Sequence, residues 1–160
     1  MKIEQLNKKY FEDVKDLLVE LQEYIIEIDN YNLNILSKDY RNKYFEFMLK
    51  DCAHNYGEVF VATENDNVVG MIAGFVQPYD NRDKLDYKCP KKGLVAELIV
   101  SKNARCGGVG TMLLNKMENY FKSINCEYCQ IDVFASNESA KKFYSKNGYQ
   151  NRMITLFKKL

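Results

Sequence analysis

Residues 105 to 110, Arg-Cys-Gly-Gly-Val-Gly, set three glycines in four positions behind a basic residue, with an apolar run (LVAELIV) upstream and a helix-like pattern (TMLLNKMENYFKSI) downstream. Backbone amides at the start of a helix lack intrahelical partners and carry partial positive charge, so a glycine-rich turn entering a helix is a cradle for an anion. Phosphate binding is the chemistry this pattern predicts, and the loop alone does not choose the phosphate compound. A nucleoside-triphosphate loop requires Gly-Lys-Ser or Gly-Lys-Thr, and the chain has neither. A dinucleotide fingerprint can use Gly108 and Gly110 and finds an acid in Asp132, but its third glycine position is Leu113, and residues 101–107 intervene after the strand. A turn that only reverses the chain is the remaining alternative.

Other reactive side chains give weaker signals. Cys106 stands beside Arg105 near a helix start, a setting that lowers a thiol pKa, but no histidine partner for a nucleophile is visible and an adventitious reactive thiol is the simpler reading. The single histidine, His54, reads as structural or solvent-facing. Cys126 and Cys129 form a CxxC with no second such pair, so no metal site is expected and the two read as structural thiols. Asp80, Asp83 and Asp86, with Glu27 and Asp29, could form an acidic mouth for a cationic amine. Arg82, Lys84, Lys88, Lys91 and Lys92 interleave with them, which favours a solvated charged loop.

The elements that must position these residues follow from periodicity. Apolar residues at 11, 14, 18, 21, 25 and 28 share one helix face, after a first strand in KIEQL, and a second helix is expected from about Lys38 to Leu49. EVFVATENDNVVGMIAGFVQ reads as a hairpin turning at Asn65, Asp66 and Asn67, followed by a polar loop that holds both prolines. LVAELIV is a strand, residues 111–124 a helix, YCQIDVF a strand, NESAKKFYSKNG a short helix ending at Gly148, and RMITLFKKL a last strand. This order predicts a mixed α/β or α+β sheet fold, and 160 residues without a linker or repeat predict a single domain, 1–160. The net charge of +1 argues against a nucleic-acid partner. No apolar run suits a membrane span or secretory signal, and five cysteines are an odd count that suits a reducing compartment, so a cytoplasmic protein with no membrane partner is expected.

The pair of segments ELIVSKNARCGGVGTMLL and DVFASNESAKKFYSKNGY resembles the GNAT superfamily of acyl-CoA-dependent N-acetyltransferases. Arg105, Gly108 and Gly110 meet that family's R/Q-x-x-G-x-G/A signature. Asn137, Ala140, Phe143-Tyr144 and Gly148-Tyr149 meet its second. The resemblance covers nearly the whole chain and is weakest from Asp29 to Tyr56, where members differ to suit their acceptors. It implies a mostly antiparallel central sheet of about six or seven strands flanked by about four helices, with splayed strands forming an acetyl-CoA cleft. By the same resemblance the amides from Cys106 through Gly107, Gly108, Val109 and Gly110 to Thr111 hold the pyrophosphate of coenzyme A, with Arg105 at the loop's entrance. Pantetheine lies along Leu98, Ile99 and Val100, and Asn137 and Ala140 flank the cofactor.

The chemistry so implied is attack of a neutral amine on a thioester, which needs a base, an oxyanion donor and an acid. Glu97 is the one charged residue of LVAELIV, and strand alternation puts it on a face with Val95 and Ile99. Apolar neighbours raise a carboxyl pKa toward that of a useful base, the alternative being a salt-bridged surface glutamate. Tyr144 matches the family's tyrosine that protonates the leaving thiolate, and also completes an apolar stripe with Ala140 and Phe143. Asn137 is equally suited to cap the last helix. The expected partner is a small-molecule or peptide amine, and a homodimer is suggested by family habit and by the apolar MITLF. A non-catalytic acyl-CoA-binding sensor on the same fold is the alternative to an enzyme.

Overall fold

The computed structural model describes residues 1–160. Its sheet has five strands in sequence order, β1 (Lys2–Gln5), β2 (Glu58–Glu64), β3 (Asn67–Val76), β4 (Lys92–Val100) and β5 (Tyr128–Ile131). The first four are antiparallel neighbours, and β5 pairs parallel to β4. The β2–β3 turn falls where the Asn-Asp pair predicts it, with Asn65 and Asp66 both at positive φ (49° and 64°) as a tight hairpin requires.

Helices cover both faces. α1 (Phe11–Ile28) and α2 (Tyr40–His54) pack on one side, where Val14, Leu18, Phe45 and Met48 meet Val61, Met71 and Ile99. α4 (Val109–Ser123) packs on the other, where Leu113, Leu114, Met117 and Phe121 meet Phe60, Ile72 and Val95. The one-face apolar stripes of α1 and α4 are what make them sheet-covering helices. The short α3 (Asp83–Asp86) lies in the polar loop, and α5 (Glu138–Lys146) follows β5.

The sheet has fewer strands than the expected six or seven, because RMITLFKKL forms none. Residues 151–160 are all exposed, including Met153 at 82% and Leu156 at 89%, and their backbone makes no hydrogen bond to other backbone. An apolar run forms a strand only where its backbone pairs with an edge. This segment instead crosses loops, with Arg152 over the Tyr87 ring and the Phe157 carbonyl accepting from the Tyr31 hydroxyl at 2.6 Å. The second helix also runs one turn past its expected end at Leu49, burying Cys52.

Candidate active site

The site forms where two parallel strands part. β5 pairs with β4 only from Lys92↔Tyr128 to Val95↔Ile131, while β4 continues to Val100 with nothing on that side. Ser101 N–H donates to the Val69 carbonyl at 2.9 Å, so strand alternation turns the backbone of Ile99 toward β3 and that of Leu98 and Val100 into the gap. Of the three expected backbone contacts, two therefore face the gap and Ile99 does not.

At the upper end of β4 the glycine loop enters α4. Cys106 and Gly108 are left-handed, with φ of 65° and 80°. The first bond of the helix runs from Met112 N–H to the Gly108 carbonyl at 3.0 Å, and no backbone N–H from Arg105 to Thr111 has a partner within the protein. This row of unpartnered amides fits a phosphate group. Gly110 has a different reason to be glycine: a Cβ there would lie 3.4 Å from the Phe143 ring, so its absence lets α4 start against α5. Arg105 is tied down on the opposite side of the loop. Its Nε donates to the Val100 carbonyl at 3.0 Å, its Nη2 reaches Glu20 of α1 at 3.4 Å, and its guanidinium lies over the Tyr24 ring.

Across the gap, Asn137 caps α5 by accepting from Ala140 N–H at 3.0 Å, and the same oxygen accepts from the Tyr24 hydroxyl at 3.3 Å. Tyr24, which the sequence does not single out, thus touches both signature segments. Tyr144 lies on α5 with its ring against Phe143 and Tyr149, and its hydroxyl has no protein partner. Burial and the charge of Glu97 both push its pKa well above the usual phenol value.

Glu97 departs from simple alternation. The β3–β4 register shifts between Ala73 and Gly74, so that Ala73 faces Glu97 while Gly74 faces Val95, leaving Ala96 as the extra residue of a bulge. Val95 therefore packs on the α4 face, whereas Glu97 turns to the α2 face with Ile99 and accepts a hydrogen bond from the Tyr44 hydroxyl. The expected common face of Val95 and Glu97 is corrected by one residue of bulge. Burial raises the Glu97 carboxyl to about 7, opposed by the Tyr44 hydrogen bond. Glu97 lies on the α2 face with Tyr44, Tyr144 packs against the α4-side core, and after burial the Glu97 charge is the second cause that raises the phenol.

On the Glu97 side lies a cleft of about 300 Å³ lined by Tyr44, Phe47, Met48 and Asp51 of α2, Phe75 of β3, residues 94–97 of β4, and Asp132 beyond β5. Its charged groups are three carboxylates, Asp51, Glu97 and Asp132, with no lysine or arginine. No three His, Cys, Asp or Glu side chains are grouped to hold a metal. Three of the acids expected to form a mouth have other work. Asp29 is buried and accepts from the Asn34 side-chain amide and from the backbone N–H groups of Tyr31, Leu33 and Asn34, which together hold its carboxyl down at about 2. Asp80 and Asp83 accept each other's backbone N–H groups in their own turn. The acidic wall instead comes from residues separated by 81 positions, Asp51 and Asp132, and no local pattern announces it.

The remaining reactive side chains are structural in setting. Burial pushes the Cys129 thiol up to about 11, and Tyr149 O–H donates to its sulfur at 3.1 Å. His54 is exposed at the end of α2, with Nδ1 2.7 Å from the Lys50 carbonyl. Cys106 is exposed on the loop, and all five cysteines are unpaired.

The sheet thus opens between two parallel strands, with a row of unpartnered amides beyond the end of β4 and a carboxylate-lined cleft on the α2 face. Residues 18–149 match the model of the acetyltransferase (GNAT) family, and the chain belongs to that family. It is 35% identical over 96 residues to an uncharacterized N-acetyltransferase of Methanocaldococcus jannaschii, a match covering 59% of this chain and 54% of that one, so the matched part spans about half the length of that relative. The fold is shared with a mutant of the BH1408 protein of Bacillus halodurans (TM-score 0.86, 18% identity, 100% and 99% of the two chains covered). It is also shared with an aminoglycoside antibiotic 6'-N-acetyltransferase of Acinetobacter haemolyticus (TM-score 0.72, 18% identity, 100% and 99% covered).

Proposed function

We propose that residues 1–160 act as one N-acetyltransferase unit that moves the acetyl group of acetyl-CoA directly to a primary amine. The observation that carries this reading is the row of unpartnered amides from Arg105 to Thr111 beyond the end of β4, where β5 has ceased to pair, with Glu97 in the cleft on the α2 face and Tyr144 packed on the α4 face. The pyrophosphate of acetyl-CoA is taken as bound by those amides, with pantetheine against the open backbone of Leu98 and the Val100 N–H, the Val100 carbonyl being held by Arg105, and Asn137 and Ala140 on its far flank. Glu97 draws a proton from the incoming ammonium, directly or through water. The freed amine lone pair forms the C–N bond at the thioester carbonyl. As the C–S bond breaks, the departing thiolate takes its proton from Tyr144, and the second proton lost by the acylated nitrogen returns to the phenol, so that Tyr144 ends neutral. Burial and the Glu97 charge keep Tyr144 protonated at rest, so it stands as a donor to the thiolate as charge develops there.

The acceptor is proposed to be a cationic amine. Three carboxylates among aromatic walls in a cleft without basic side chains favour an ammonium, and a second positive charge on the acceptor would find Asp51 or Asp132. A polyamine, an aminoglycoside or a small or peptidyl amine meets this description. The unpaired cysteines support a cytoplasmic setting. The exposed apolar tail, together with the free outer edge of β5, supports a homodimer, which sedimentation over a concentration series tests.

A CoA-release screen over polyamines, aminoglycosides and peptide N-termini tests the activity. Thiol release with a di- or polycation is the expected result. Binding of acetyl-CoA with no release over the whole panel would instead make the chain a sensor of acyl-CoA.

A further inference from the structure

Glu97 has one hydrogen-bond donor, and it comes from the acceptor side of the molecule. The carboxylate is partly buried, forms no ion pair, and accepts only from the hydroxyl of Tyr44. The titratable groups that face it offer no cation: Tyr40, Tyr44 and Asp51 come from α2, Tyr144 from α5 and Asp132 from beyond β5, while the cleft residues of β3 and β4 beside it are apolar. Burial disfavours a negative charge at Glu97, and the Tyr44 hydrogen bond acts against it. Tyr44 is itself held: its ring stacks on that of Tyr40 one helical turn earlier, with centroids 4.6 Å apart and planes 15° from parallel. Its phenol is pushed well above its ordinary pKa by burial and by the Glu97 charge, so it keeps its proton and remains a donor.

We propose that Tyr44 is a positioning residue for the base, holding the Glu97 carboxylate in its charged form and aimed from the bulge at Ala96 into the cleft. The proposal rests on Glu97 being the base of the transferase read above. It makes α2 part of the proton-transfer machinery as well as a wall of the acceptor cleft. Tyr44 does not itself exchange a proton with the acceptor.

The test is the Tyr44→Phe variant, which keeps the ring and its stack and removes only the donor. The titration of the Glu97 carboxyl is followed by ¹³C NMR in the protein without substrates, with the Glu97→Gln variant assigning the resonance. The pH dependence of kcat/KM is followed in parallel by CoA release, and acetyl-CoA thermal shift confirms that the variant is folded. With the one donor to the charged carboxylate removed, the carboxyl titration should move up by about one pH unit or more. The acid limb of kcat/KM should move with it, leaving roughly tenfold less activity on that limb and little loss above it. An unmoved carboxyl titration in a folded variant overturns the proposal while leaving Glu97 as base. A carboxyl that moves while the acid limb stays overturns the base reading, and with it the role assigned to Tyr44. If no amine is acetylated, the NMR titration still decides whether Tyr44 holds the charge.

Discussion

The two sides of the gap between β4 and β5 offer the proposed ligands different kinds of group. Toward α4 the protein offers main chain: unpartnered amides from Arg105 to Thr111, the open backbone of Leu98 and the Val100 N–H. Toward α2 it offers side chains: Tyr44, Phe47, Asp51, Glu97 and Asp132, contributed by a helix, a strand and a loop. Main-chain recognition constrains a contiguous segment and needs glycines at fixed places. Side-chain recognition can be assembled from anywhere the fold brings together. The acyl donor side is thus fixed by one local geometry, while the acceptor side is free to change residue by residue.

The strongest way to break this comparison is at the two side chains proposed to move protons. Tyr144→Phe removes the proposed proton donor and should lower kcat by roughly 10²–10³-fold, with acetyl-CoA still stabilising the protein in thermal shift. An unchanged kcat would remove Tyr144 from the mechanism. Glu97→Gln should cost about 10²-fold in kcat/KM. In the wild type, kcat/KM should climb as pH rises through about 7, because only the deprotonated carboxyl accepts a proton.

Glu97 also predicts an effect on stability. Its carboxyl is raised from 4.5 in the unfolded chain to about 7, so the folded state holds the proton more tightly and loses stability as pH rises between those values. The loss amounts to about 3 kcal/mol. Glu97→Gln should flatten this slope in urea unfolding at pH 5 and pH 8. An equal slope in both proteins would mean that the carboxyl is not buried as described.

The same contrast explains what the sequence discloses. The amide cradle, the Asn137 cap and Tyr144 are readable because each is tied to a strand-loop-helix segment with a fixed spacing, and the hairpin turn is readable because Asn65 and Asp66 tolerate positive φ. Glu97 is readable as an acid in an apolar run, but its direction is not, since the bulge at Ala96 arises from pairing with β3. Asp51 and Asp132 carry no local mark at all. Their partnership exists only after α2 has packed on the sheet and β5 has parted from β4. The tail misleads for the complementary reason. Its apolar MITLF suits a strand, yet a strand exists only through backbone pairing, and these residues cross loops with none.

Gly108 sharpens the main-chain half of the comparison. At φ of 80° a β-branched residue is strained by roughly 1–2 kcal/mol, although an added Cβ would touch nothing. Gly108→Val should therefore turn the amides out of line and weaken acetyl-CoA binding by about tenfold in calorimetry. The fold should survive, because α4 keeps its buried Leu113, Leu114, Met117 and Phe121. Binding of wild-type strength in this variant would mean that the loop is only a turn.

The smallest expected effect lies in the acidic wall, and it separates charge recognition from chemistry. Asp132 is exposed at the rim of the cleft, where an ion pair with an acceptor contributes about 0.2–1 kcal/mol and is screened by salt. Asp132→Asn should therefore raise KM for a dication by roughly twofold to fivefold at low ionic strength, leave kcat in place, and affect a monocation less. The difference between dication and monocation should shrink as salt is added, because a screened rim charge loses its influence while the buried Glu97 does not. A fall in kcat with KM unchanged would place Asp132 in the proton path beside Glu97, and the division between a recognising wall and a reacting centre would have to be redrawn one residue closer to the rim.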